Sequence, residues 1–313
     1  MTFRDDAQFN ADQVQVSRSG GGGFMGPGMI GLGGGAAGLV LLVLTLLLGG
    51  DPGAALNSLD QGGDGSAQQG AARDTAHCRT GADANTSVDC RILFTMQSLN
   101  DVWSAQLPAQ AGKRYTPPKV NLFKGSVSTG CGPATSSVGP FYCPADHTAY
   151  FDTDFFRTLV NRFGSSGGPL AQEYVVAHEV GHAVQNQLGL LSKVQSSRHG
   201  PTSAAVRSEL QADCLAGVWA HYAASTPAPG GGRPLLHELT DKDVKDALSA
   251  ASAVGDDRIQ SASRGGVSPE SWTHGSSAQR QAWLLSGYRS GSMRACDTFS
   301  AGDLNNPAAN HPA

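Results

Sequence analysis

The chain has 313 residues, of which 40% are hydrophobic and 15% charged, enough for a globular core accompanied by polar segments. Its formal net charge is -4 and no basic stripe runs along it, so there is little to neutralise phosphates and nucleic acid is not an expected partner.

In chain order, residues 1–28 are polar and then Gly-rich, and no charged residue occurs between Ser19 and Gly50. Residues 29–48 end in the run LVLLVLTLLL, close to the length of about 20 apolar residues that a helix needs to cross a bilayer. The expectation is one transmembrane helix acting as an uncleaved anchor. A cleaved signal peptide is the alternative, because Gly53, Ala54 and Ala55 follow the run, but the leader before it is long for a signal peptide. Arg4 and Arg18 precede the segment while Asp51, Asp60 and Asp64 follow it, which predicts a single-pass membrane protein with its N-terminus in the cytoplasm and its folded domain outside. Residues 49–77, rich in Gly, Ala, Gln and Asp, read as a flexible linker. The folded unit is expected over 78–299, and 300–313 read as a disordered tail.

All six cysteines lie in that unit, as expected of an exported, disulfide-bonded domain. Closeness in the chain favours Cys78 with Cys90 and Cys131 with Cys143, leaving Cys214 for Cys296. The alternative is six reduced, buried thiols. Val88, Ile92, Met96, Leu99 and Trp103 recur every three or four residues and predict a first helix. Candidate strands follow at 119–123, 139–142 and 148–151, then helices at 171–188, 203–223, 241–254 and 277–288, with a Pro- and Gly-rich loop at 226–234. The fold class is α+β: mainly helical with a small sheet.

The chemistry is concentrated in HEVGH, residues 178–182, inside the 171–188 helix. His178 and His182 are four apart and share a helix face, so both imidazoles can bind one metal ion. Glu179 is turned about 100° from His178, where it can act as general base toward an attacking water. Zinc suits this set, since a catalytic zinc takes three protein ligands and leaves one position open. The segment RSELQADCLAG supplies Glu209 and Asp213, again four apart. The reading assigns Glu209 to the metal and Asp213 to a ring N–H of His178, which fixes the tautomer that leaves the other nitrogen for zinc. Cys214 is turned away from Glu209 and fits a disulfide better than a ligand. Glu173 stands on the motif helix itself and cannot close the site.

With its N-terminal hydrophobic segment and the segments GPFYCPADHTAYFDTDFF, EYVVAHEVGHAVQ, RSELQADCLAGVWA and WTHGSSAQRQAWLLSGY, the chain resembles the putative neutral zinc metallopeptidase family over about Cys78 to Phe299. That bacterial group is similar to the thermolysin-like gluzincins. The resemblance implies a zincin-like domain in which the helix after HExxH gives a glutamate ligand and an aspartate four residues on, matching Glu209 and Asp213. It also implies that His274 hydrogen-bonds the oxyanion of a tetrahedral intermediate, and that the strand DHTAYFD offers an edge to peptide substrate. On its own, His274 fits equally well as a cap of the 277–288 helix. Arg280 can hold substrate carbonyls or pair with a surface acid. The expected activity is zinc-dependent endopeptidase cleavage of a protein or peptide. An inactive zinc-binding scaffold and a zinc amidase for a non-protein amide are the alternatives.

Overall fold

The computed structural model describes residues 2–17, 75–229, 231–264 and 266–310. Two helices open the folded unit, α1 (Gly81–Thr86) and α2 (Val88–Ala111). Ser87 caps α2 by accepting from the Cys90 N–H, and Gly112 ends it in the left-handed conformation, with φ 64. Of the predicted repeat, Ile92, Met96, Leu99 and Trp103 are fully buried and Val88 partly so, but Arg91, Gln97 and Asn100 are buried as well, so α2 is enclosed on more than one face.

What encloses it is the N-terminal arm, residues 2–17. Phe3 has no exposed surface and its ring lies 5.5 Å from that of Phe94. Gln97 accepts from the Asn10 N–H, and Asn100 donates to the Gln13 carbonyl at 2.7 Å. The arm ends on the sheet, where the Val120 N–H donates to Gln15 and the Ser17 N–H to Val120.

The three-stranded sheet has the order β1 (Lys119–Phe123), β5 (Thr148–Asp152), β4 (Phe141–Cys143), with β1 parallel and β4 antiparallel to β5. The strand expected to offer a free edge, DHTAYFD, contains the central strand β5. It is paired on both sides and buried throughout. The arm takes the β1 side, which leaves β4 as the edge. A separate hairpin, β2 (Ser126–Thr129) with β3 (Gly132–Thr135), was not foreseen, because its strands are short and interrupted by Gly and Pro.

After α3 (Phe155–Asn161) come the helices that form the centre of the molecule: α4 (Pro169–Gln187), α5 (Ala204–Ala223), α6 (Asp241–Ala253), α7 (Asp256–Arg264) and α8 (Ser277–Ser290). α4 packs against α2, α5 and α6, and α8 lies along α5. The approach of α8 to α5 is close enough that a Cβ on Gly287 would sit 1.9 Å from the Cys214 carbonyl oxygen, so only glycine fits there. The three disulfides are Cys78–Cys90 and Cys131–Cys143, the pairs that closeness in the chain favoured, and Cys214–Cys296, the pair that remained.

Two expectations are corrected. The transmembrane helix and the single-pass membrane location are withdrawn. Among the described residues no helix is long and apolar enough to cross a membrane, and residues 29–48 lie outside the described residues. The arm, expected across a membrane from the folded unit, is instead packed into its core. The tail also differs: 300–310 is ordered against the domain, with Ala301 and Leu304 buried and the Trp283 Nε1–H donating to the Leu304 carbonyl at 2.9 Å. The last three residues lie outside the described ones.

Candidate metal centre

Two adjacent helices meet at the HEVGH segment. α4 carries the buried His178 and Glu179 and the half-buried His182, and α5 crosses it at Gly181, where a Cβ would stand 3.0 Å from the Ala212 carbonyl oxygen. That crossing sets Glu209 and Asp213 opposite the two imidazoles. His178 Nε2 is 3.2 Å from Glu209 Oε2 and His182 Nε2 is 3.5 Å from Glu209 Oε1. The two rings are 4.8 Å apart and nearly perpendicular. One nitrogen of each histidine and an oxygen of Glu209 all lie within 4.8 Å of one another, a spacing one ion can bridge.

The far nitrogen of each ring is held. His178 Nδ1 lies 2.9 Å from Asp213 Oδ1. Asp213 in turn accepts from Arg280 Nε at 2.8 Å, from Arg280 Nη2 at 2.9 Å and from the Tyr174 hydroxyl. Arg280 is 3% exposed, so its partner is a buried carboxylate of the centre and not a surface acid. His182 Nδ1 lies 2.8 Å from Gln185 Oε1. With both Nδ1 atoms engaged, both Nε2 atoms face Glu209, the direction in which a divalent metal would sit.

The electrostatics agree with the geometry. Burial pushes the His178 imidazole down, but the Asp213 and Glu209 carboxylates outweigh it and raise its pKa to about 10. Burial likewise opposes ionisation of Glu209, and the imidazoles of His182, His178 and His274 overcome it, holding the carboxyl well below the usual range. An anionic oxygen facing two imidazoles is a donor set that fits zinc, which would displace the His178 proton on binding. Glu179 is 7% exposed; burial raises its pKa, partly offset by the two imidazoles, which makes it a better proton acceptor and donor near neutrality.

His274 is 9% exposed and does not cap α8, whose cap is Ser276 within a capping box with Gln279. Its Nδ1 is 3.2 Å from Asp256 Oδ1, and Asp256 Oδ2 accepts from the backbone N–H groups of Thr273, His274 and Gly275 at 2.8, 2.7 and 3.0 Å. Burial lowers the pKa of His274, but Asp256 and Glu209 raise it overall, so the ring lies within electrostatic reach of Glu209. Asp256, Tyr174 and Gln185 were not foreseen. No local pattern marks Asp256, which starts a helix of its own and meets His274 only through the tertiary fold.

Glu173, set aside as a ligand, is indeed apart from the cluster: it is fully buried between the Thr2 hydroxyl and Arg91. A second group among the described residues, His77 with Cys78 and Cys90, has its two sulfurs joined in a disulfide and so offers no thiolate.

A family model described as "Putative neutral zinc metallopeptidase" matches residues 1–299. The chain belongs to this family. The match includes the N-terminal arm as well as the helices around HEVGH. The chain is also similar to "Uncharacterized protein Rv2575" of Mycobacterium tuberculosis, 55% identical over 260 residues that cover 83% of this chain and 86% of that one. With the uncharacterized protein YpfJ of Escherichia coli (strain K12) it is 42% identical over 296 residues, covering 92% and 96%. No solved structure matches the chain. Family membership makes zinc the metal that the His178, His182 and Glu209 group is suited to hold.

Proposed function

We propose that the chain is a zinc-dependent endopeptidase of gluzincin-like design, with His178, His182 and Glu209 as metal ligands and Glu179 as general base. The observation that carries this reading is the convergence of two imidazoles and an ionised glutamate from adjacent helices, with a second, buried glutamate beside them, in a chain of a zinc metallopeptidase family. Zinc held there by His178, His182 and Glu209 would supply Lewis acidity toward water and a substrate carbonyl.

The rest is done by the chain. Glu179 takes the proton of the attacking water and passes it to the leaving amine. His274, its Nδ1 fixed by Asp256, directs Nε2 toward the oxyanion, where a positioned donor is worth roughly 10²-fold or more in rate. Arg280 and Tyr174 hold Asp213, and Asp213 holds His178. The substrate is a protein or peptide in extended form that adds its backbone to the outer edge of β4. Support for that edge comes from the packing of β4 against α4 and the bond from Asn186 Nδ2 to the Tyr142 hydroxyl at 3.0 Å.

Incubating the full chain with an unbiased pool of peptides, with and without a zinc chelator, tests the reading. Internal cleavage that stops on chelation and returns with added zinc is expected. A zinc-loaded chain that cleaves no peptide would overturn it.

A further inference from the structure

The two histidines of the centre are oriented by different chemistry. His178 faces a carboxylate neutralised by arginine. His182 faces a neutral amide, Gln185, which has no exposed surface.

The orientation of that amide is determined by its surroundings. Gln185 lies 2.8 Å from the Ser208 backbone carbonyl, which can only accept, so the nitrogen of the amide must be on that side. The second hydrogen of the same nitrogen goes to Gln211 Oε1 at 3.0 Å. Oε1 of Gln185 is thereby turned to His182 Nδ1 and also accepts from the Ser208 hydroxyl at 3.3 Å. Every donor and acceptor of the side chain is used. The same logic fixes the next residue: Gln211 is 6% exposed, receives Gln185 on its oxygen, and donates its nitrogen to the Cys296 carbonyl at 2.9 Å. That carbonyl is itself anchored, because Cys296 is bonded to Cys214, three residues beyond Gln211 on α5. A ring closed by a covalent bond therefore sets Gln211, Gln211 sets Gln185, and Gln185 can accept from His182 only if Nδ1 carries the hydrogen.

We infer that Gln185 and Gln211 are positioning residues for His182, an uncharged relay from the Cys214–Cys296 disulfide that holds the ring in its Nδ1–H tautomer with Nε2 free for metal. The inference rests on the zinc reading for its purpose but not for its geometry. A partner of this kind sets ring direction without adding negative charge, so the centre gains a fixed ring without a further anion. Outer partners of metal-bound histidines typically contribute about 10- to 100-fold in metal affinity.

Ring nitrogen NMR on the metal-free full chain at alkaline pH reads the tautomer directly. The Nδ1–H form is expected in the parent and the Nε2–H form, the default in water, in Gln185→Met. A parent ring in the Nε2–H form would overturn the inference without any variant having to fold. Zinc competition with a chelator gives the second readout: the dissociation constant should rise about tenfold or more in Gln185→Met and by a smaller factor in Gln211→Met, in each case beyond what the fall in metal-free stability accounts for. Unchanged zinc affinity in Gln185→Met, or a loss that merely follows a fall in metal-free stability, would equally sink it. A parent that shows the Nδ1–H tautomer and binds no zinc would defeat the metallopeptidase reading and leave the relay standing.

Discussion

Helix α4 carries two buried glutamates, Glu173 and Glu179, and the contrast between them separates burial from function. Glu173, toward the N-terminal end, is fully buried and its pKa is pushed up to about 7, chiefly by loss of solvent. Glu179, less than two turns further on, is buried and raised for the same reason. Their surroundings differ. Glu173 meets the arm through the Thr2 hydroxyl and has Arg91 at 3.9 Å, with Asp243 adding like charge. Glu179 faces His178, His182 and Glu209. A shifted carboxyl on a central helix is thus no mark of catalysis by itself; the partner set decides, and only one of these two has imidazoles around it.

The contrast can be broken by treating the two positions alike. Glu179→Gln should lower peptide cleavage by about 10²- to 10⁴-fold while zinc content stays at the parent level, since a general base is lost and no ligand is. Equal activity in mutant and parent would remove Glu179 from the reaction. Glu173→Gln should leave cleavage near the parent value and act on stability instead. Because the folded-state pKa is raised from 4.5 to about 7, the folded chain binds a proton that the unfolded chain has released between those values, so this group's contribution to stability falls as pH rises through that window. Removing the titration should flatten the pH dependence of unfolding by roughly 3 kcal/mol between pH 4.5 and 7. Denaturant unfolding of both proteins at several pH values checks it, and parallel curves would mean that Glu173 ionises normally in the fold.

The same contrast shows what the sequence made legible. Spacing within one helix is a local property, so His178, Glu179 and His182 could be read from HEVGH, and the four-residue step from Glu209 to Asp213 placed both on one face of the next helix. The positions of the last four long helices follow from caps and periodicity for the same reason: Thr240 and Ser276 stand as caps. Relations between distant segments were not legible. The Asp256 carboxylate that holds His274, the Gln185–Gln211 relay and the seat of Thr2 on Glu173 each join residues that no period connects. The arm shows this limit most plainly. Read locally, residues 2–17 are a polar leader before an apolar run, and that run with its flanking charges predicts a membrane between leader and domain. Phe3 buried against Phe94 and the arm hydrogen-bonded to β1 put the leader on the same body as the metal centre.

The account depends on Glu209 completing the metal site begun by the two histidines. A crystal structure of the full chain grown with zinc, with the ion located by its anomalous scattering, tests this most directly. One ion is expected at about 2.0–2.2 Å from His178 Nε2, His182 Nε2 and a carboxylate oxygen of Glu209. An ion held by the histidines with the Glu209 carboxylate beyond bonding distance, or zinc bound elsewhere in the chain, would contradict it.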